Sequence, residues 1–149
     1  MKATIFIIAG LFSFVTSFAQ QPVEWSFHTK KISEGKYEIH LSATIDKGWA
    51  LISQSSTGDR ELAPTEIKLQ EAKGIKLSKK IEEQGSMLTK KSAARNVSVK
   101  CFENNADFII ILSANSTPKE NIKGTISYVA FNGSQTLPAF TVAFSVPLN

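Results

Sequence analysis

The sequence predicts an all-β fold, an immunoglobulin-like antiparallel β-sandwich of about eight or nine short strands. Three observations carry that prediction. Apolar and polar side chains alternate with period two through most of the chain, and no stretch shows the spacing of an amphipathic helix. Clusters rich in Gly, Pro, Asn and Ser separate the alternating runs. The length left for folding, about 130 residues, supports one domain whose core needs no disulfide or metal.

That length assumes removal of a leader. "MKATIFIIAGLFSFVTSFAQ" has Lys2 at its start, an apolar run from Ile5 to Val15, and the small-x-small triplet Ser17-Phe18-Ala19. These are the three parts of a signal peptide, with cleavage expected after Ala19. The run is too short for a membrane anchor of about 20 residues, and no cysteine marks a lipoprotein site. Residues 1–19 are therefore expected as leader and residues 20–149 as one domain. The product belongs in the periplasm or outside the cell.

The strands follow in order. "VEWSFH" sets Val23, Trp25 and Phe27 against Glu24, Ser26 and His28. "YEIHLSATI" sets Tyr37, Ile39, Leu41, Ala43 and Ile45 against Glu38, His40, Ser42 and Thr44. The Gly-containing "ISEGK" between them predicts a hairpin. "DKGW" turns into "WALIS", and "SQSSTGDRELAP" is a loop. "TEIKL" and "GIKLS" are short strands, while "EEQGSMLTKKSAARN" has few apolar anchors and is expected to be a long mobile connection. "NVSVKCF" and "DFIIILSA" flank "ENNA", an expected hairpin turn, and "IKGTISYVAF" and "FTVAFSVPL" complete the set.

Charge excludes little and invites nothing. Net charge is +4, or +3 without Lys2, and the pairs Lys30-Lys31, Lys79-Lys80 and Lys90-Lys91 are scattered. A nucleic-acid site would need them clustered with aromatics. His28 and His40 fall on the polar faces of neighbouring strands, where they read as surface histidines; a metal site would need a third ligand that the sequence does not place. Ser86 and Ser134, in "QGSMLT" and "NGSQTL", lack the second glycine and the helix of a nucleophile elbow. The sequons at Asn96, Asn115 and Asn132 read as ordinary turn formers, and matter only in a cell that glycosylates them.

Cys101 is the only cysteine, so no intrachain disulfide exists. It shares a face with Val97 and Val99, which predicts a buried thiol packing as a small hydrophobe. The alternative is a reactive or intermolecular thiol. In "IKGTISYVAF" the even positions Ile122, Gly124, Ile126, Tyr128 and Ala130 form the packing face. Phe131 therefore falls on the outward face at the tip, as an aromatic anchor for a partner, unless a loop covers it.

Four stretches together carry a family resemblance: "PVEWSF", "TIDKGWALISQ", "LAPTEIKL" and "GTISYVAFNGSQTLPAF". From Pro22 to Leu148 the chain resembles the N-terminal periplasmic domain of the thiol:disulfide interchange protein DsbD. The resemblance implies an immunoglobulin-like sandwich with two cysteines on its terminal hairpin, shielded by a cap loop. Those cysteines take electrons from a thioredoxin-like domain and pass them to periplasmic disulfide proteins. The family tip reads Cys-Asn-x-x-Gln-Cys-Leu-Pro; here the matching residues run from Phe131 and Asn132 through Gln135, Thr136 and Leu137 to Pro138. The cap maps to Trp49–Asp59, where it would bury Phe131.

Disulfide exchange needs a thiolate attacking a disulfide sulfur. Neither Phe131 nor Thr136 supplies one, and Cys101 lies on another strand. The expectation is a paralogue that keeps the fold and has lost the chemistry. It needs no cofactor and is not expected to be an enzyme. Its partner would be an envelope protein, a thioredoxin-like one being the first candidate, met through Phe131, Thr136, Gln135 and Trp49. The alternatives are exchange through Cys101, or a sandwich that binds a glycan or lipid.

Overall fold

Alternation becomes strand along most of the described chain, residues 21–148 apart from 94 and 118 in this computed structural model. The expected leader, residues 1–19, lies outside the described residues. Among them there is no helix long and apolar enough to cross a membrane.

Eleven strands form among the described residues, more than the eight or nine expected. They are β1 (Val23–Ser33), β2 (Lys36–Ile45), β3 (Ala50–Ile52), β4 (Glu66–Leu69), β5 (Ile75–Gln84), β6 (Met87–Ser92), β7 (Val97–Phe102), β8 (Asn105–Ala114), β9 (Ile122–Tyr128), β10 (Ala130–Phe131) and β11 (Phe140–Val146). They make three antiparallel sheets, ordered β1-β2-β8-β5, β10-β3-β7-β6 and β11-β9-β4. The result is an immunoglobulin-like β-sandwich.

The main core lies between the first and third sheets. Tyr37, Ile39, Leu41 and Ala43 of β2, with Phe108, Ile110 and Leu112 of β8, join Ile122, Ile126 and Tyr128 of β9 and Phe144 and Val146 of β11. These are the inward residues that period two selects on β2 and β9. Trp25 lies 5.7 Å from Phe108 and 5.5 Å from Tyr128, centroid to centroid, within the range of favourable aromatic pairs. The hairpin of β1 and β2 forms as expected and places His28 directly opposite His40.

Two expected features are overturned, and they belong together. The stretch expected to be a mobile connection is the end of β5, the turn at Gly85 and β6. The turn in "ENNA" is not a hairpin, because β7 pairs with β3 and β6 while β8 pairs with β2 and β5. Residues 75–92 instead run out along residues 97–114 as one long ribbon that leaves the first sheet and enters the second. It bends at Gly85, φ 141°, and at Asn104, φ 66°. A Cβ on Gly85 would meet the Asn105 carbonyl oxygen at 3.0 Å, so the bend needs glycine both for its dihedral and for that approach. The sequence hid this ribbon because β5 and β6 are edge strands. An edge strand needs few apolar anchors and tolerates lysines and irregular register, such as the shift between Leu77 and Ile81.

"IKGTISYVAF" is likewise not one strand. It breaks at Val129, whose carbonyl accepts from the Ile52 N–H at 3.4 Å, so β9 stays in the third sheet while β10 crosses to the second.

Candidate functional site at the tip hairpin

The tip is a tight reversal. Phe131 and Thr136 form an antiparallel bridge, flanked by hydrogen bonds from Asn132 N to Gln135 O at 3.0 Å and from Leu137 N to Ala130 O at 3.0 Å. Asn132 holds the turn: its Oδ1 accepts from the N–H of Gln135 at 2.8 Å and of Ser134 at 3.2 Å. That is the usual way an Asn side chain replaces a main-chain acceptor in a turn. The Gly133 carbonyl accepts from Ala93 N at 3.2 Å and ties the tip to the loop between β6 and β7.

Phe131 does not face solvent; it is fully buried. Alternation holds across Val129, with Tyr128 and Ala130 in the main core and Val129 and Phe131 on the opposite face; Phe131 is buried because a loop covers that face of the second sheet. Phe131 is paired with Ala50, and Ile52 with Cys101, so these four side chains share that face. With Val99, Val129 and Leu62 they make a second, smaller core.

The loop alternative holds for Phe131, with a shifted loop. The expected cap, Trp49–Asp59, starts too early: Trp49 precedes β3, is half-buried and packs on the main core, and residues 50–52 are strand. The covering segment is residues 53–65, and Leu62 is its buried apolar residue. Sequence reading missed Leu62, although it is the lone large apolar side chain in "SQSSTGDRELAP" and that isolation is a usable signal.

Polar side chains fasten the cap. Glu83 accepts from Ser53 Oγ and Gln54 N, both at 2.7 Å, and Ser56 Oγ accepts from Lys100 N at 3.1 Å. Thr65 Oγ1 donates to the Ile52 carbonyl. Asp59 Oδ1 accepts from the N–H groups of Leu62 and Glu61, both at 3.0 Å, and those bonds hold its carboxyl below the usual carboxylate range. Arg95 spans Asp59 at 2.8 Å and Glu61 at 2.7 Å. Gly58 fits because a Cβ there would collide with the Leu62 carbonyl oxygen.

Cys101 is fully buried, as the sequence predicts. Burial pushes its thiol up to about 11. A thiol in that state has almost no thiolate at neutral pH and is a poor nucleophile. Gln135 is exposed beside Phe131, and Thr136 is partly so. An open pocket of about 310 Å³ lies next to them, lined by Arg60, Glu61, Thr136, Leu137, Pro138 and Ala139.

The histidines are cross-strand neighbours, with rings stacked at 4.6 Å and 9° from parallel. The in-plane lone pairs of parallel rings do not converge on one ion, and no group of three or more His, Cys, Asp or Glu among the described residues is arranged to hold a metal ion. His40 Nδ1 lies 2.6 Å from Asp107 Oδ2 and His40 Nε2 lies 3.1 Å from Glu38 Oε2. Burial opposes the charge on His40, but hydrogen bonds to Asp107 and Glu38 outweigh it and raise the imidazole above its ordinary value. Ser42 Oγ donates to the other oxygen of Asp107 at 2.8 Å. The cluster is a clasp between β2 and β8, not a nucleophile with its base.

No protein-family model and no curated protein matches this chain. Solved structures do resemble it. The N-terminal periplasmic domain of ScsB from Proteus mirabilis superposes with a TM-score of 0.59 at 16% identity, covering 88% of this chain and 47% of that one. This chain thus spans about half the length of that ScsB domain. The reduced N-terminal domain of Neisseria meningitidis DsbD gives 0.50 at 10% identity, covering 83% and 85%. The GAE domain of yeast GGA1 gives 0.51 at 11% identity, covering 86% and 94%. The fold is like that of the ScsB and DsbD domains. At these identities the likeness speaks for architecture, and one architecture hosts many functions.

Proposed function

We propose that this chain is an extracytoplasmic, non-catalytic binding module of an envelope thiol:disulfide system, built like a DsbD N-terminal domain and lacking its redox pair. The carrying observation is the bridge between Phe131 and Thr136, a closed hairpin tip at which neither side chain contains sulfur. The likeness to the periplasmic ScsB domain and to the DsbD domain supports the setting, and the resemblance of the sequence to DsbD suggests the class of partner. The partner in this reading is an envelope protein with a thioredoxin-like domain. It is met through Gln135 and Thr136, with Phe131 shaping the tip from beneath. Exchange through Cys101 is disfavoured by its burial and raised pKa.

The test is affinity capture from envelope extract under reducing conditions, which remove covalent trapping. The wild type should retain a thioredoxin-like protein, and Gln135→Arg and Thr136→Arg should release it. Retention by both variants, or no thioredoxin-like protein retained by the wild type, would sink the proposal.

A further inference from the structure

We propose that the partner meets the tip through an uncharged patch of its own, with no ion pair across the contact. The inference rests on the binding role proposed above and names the chemistry of the partner surface.

The part of the chain that builds the tip carries no charge. The sequence holds 17 basic and 13 acidic side chains and two histidines, and none of them follows Lys123. Burial does not account for this. Ser134, Gln135, Pro138 and Ala139 are exposed, as are Thr141 and Ala143 beyond them. Exposed positions elsewhere carry charge freely, at Glu24, Lys30 and Lys31 of β1 and at Lys91 of β6. Depletion of charge within an exposed patch marks the centre of a protein contact, because a charge that leaves water without a partner is costly.

The charges nearest the tip cancel. Arg60 and Glu61 line the pocket beside Thr136, and Arg95 holds Glu61 at 2.7 Å and Asp59 at 2.8 Å. Two guanidinium groups thus stand against two carboxylates, and three of the four are tied to one another. A charged patch on the partner would find no net charge here to complement.

The shape of the tip narrows the partner surface further. Ser134 and Gln135 form a polar crown at the turn, and Leu137, Pro138 and Ala139 form an apolar shoulder beside it. Leu137 N is bonded to Ala130 O at 3.0 Å and Pro138 has no N–H, so the shoulder offers no run of donors to an added strand. Contact is therefore made through side chains. The shoulder suits an apolar surface, and the Gln135 carboxamide, which both donates and accepts, suits a free main-chain amide. A partner patch of apolar side chains around an open main-chain amide meets both without any charge.

The experiment takes the thioredoxin-like protein retained in the capture described above, purified, and measures its affinity for the exported chain by isothermal titration calorimetry. Affinity should change by less than about threefold between about 0.05 and 0.5 M NaCl, since salt screens only charges. Gln135→Glu and Gln135→Arg place opposite charges at one exposed site, and both should weaken binding at least about tenfold, because either charge is left unpaired in the contact. A charged partner patch would instead favour one sign over the other. Arg60→Gln should leave affinity within about threefold, since no ion pair crosses the contact. A larger change with salt, a larger loss in Arg60→Gln, or a Gln135 variant of either sign that binds as well as the wild type overturns the proposal. If Gln135→Arg and Thr136→Arg release the partner while Gln135→Glu holds it, the uncharged contact fails and the binding role stands. Release by none of the three, or no thioredoxin-like protein captured at all, removes both.

Discussion

Phe131 lies directly across an antiparallel bridge from Thr136, with the hydrogen bonds of Asn132 to Gln135 and of Leu137 to Ala130 on either side of it. Bonds that flank a pair without joining it define the narrow, non-hydrogen-bonded position, where Cα atoms sit about 4.5 Å apart. That spacing lies within the reach of a disulfide, about 4.4–6.8 Å. The backbone would accept a bridge that the side chains do not provide. Phe131→Cys combined with Thr136→Cys should therefore oxidise spontaneously to an intramolecular disulfide. After oxidation, titration in denaturant should find one free thiol, that of Cys101; three free thiols would show that the tip is not closed this way.

Burial of Phe131 sets its energetic weight. Truncation to Ala removes a fully buried ring and should cost about 3–5 kcal/mol, and Leu62→Ala about 2–5 kcal/mol. Both side chains belong to one small core, so the double variant should cost less than the sum of the two. Denaturant unfolding of all four proteins measures this, and strict additivity would mean that the cap and the tip do not share a core.

The Cys101 thiol should be silent in the native state. Thiol titration should read none before unfolding and one after it, since burial removes both access and thiolate. Prompt reaction in the folded protein would contradict the packing of the second core.

His40 makes stability depend on pH in a set direction. Its folded pKa is raised by Asp107 and Glu38 against the opposing effect of burial, so the protonated clasp contributes fully below the unfolded value of about 6.5. That contribution fades as pH rises through the higher folded value. The stability advantage of wild type over His40→Asn should thus shrink between pH 5.5 and 8.5. An advantage that grows with pH would mean that the imidazole is held neutral.

Arg95 acts on the cap locally. Exposed ion pairs add little to global stability, so Arg95→Ala should leave the unfolding midpoint nearly unchanged. Hydrogen exchange of amides 57–63 should nevertheless quicken, because the residue ties Asp59 and Glu61 to the loop between β6 and β7. Unchanged exchange there would show that Leu62 and the remaining hydrogen bonds hold the cap without Arg95.

The sequence by itself determined what depends on neighbouring residues. Alternation on β2 and β9 picked out their buried faces, the hairpin put His28 and His40 on the polar faces of neighbouring strands, and the face shared by Val97, Val99 and Cys101 foretold a buried thiol. Side-chain period is a local property of extended chain, so it survives without knowledge of the fold.

Only tertiary structure decided where strands change sheets. The break at Val129 carries Phe131 into the second sheet, where the cap with Leu62 buries the face turned from the main core, and the bend at Gly85 and Asn104 carries a polar-looking edge ribbon across two sheets. Alternation says which side chains share a face and never which layer that face meets, because the answer comes from partners distant in sequence: Ala50 for Phe131, Ile52 for Cys101, Arg95 for Glu61.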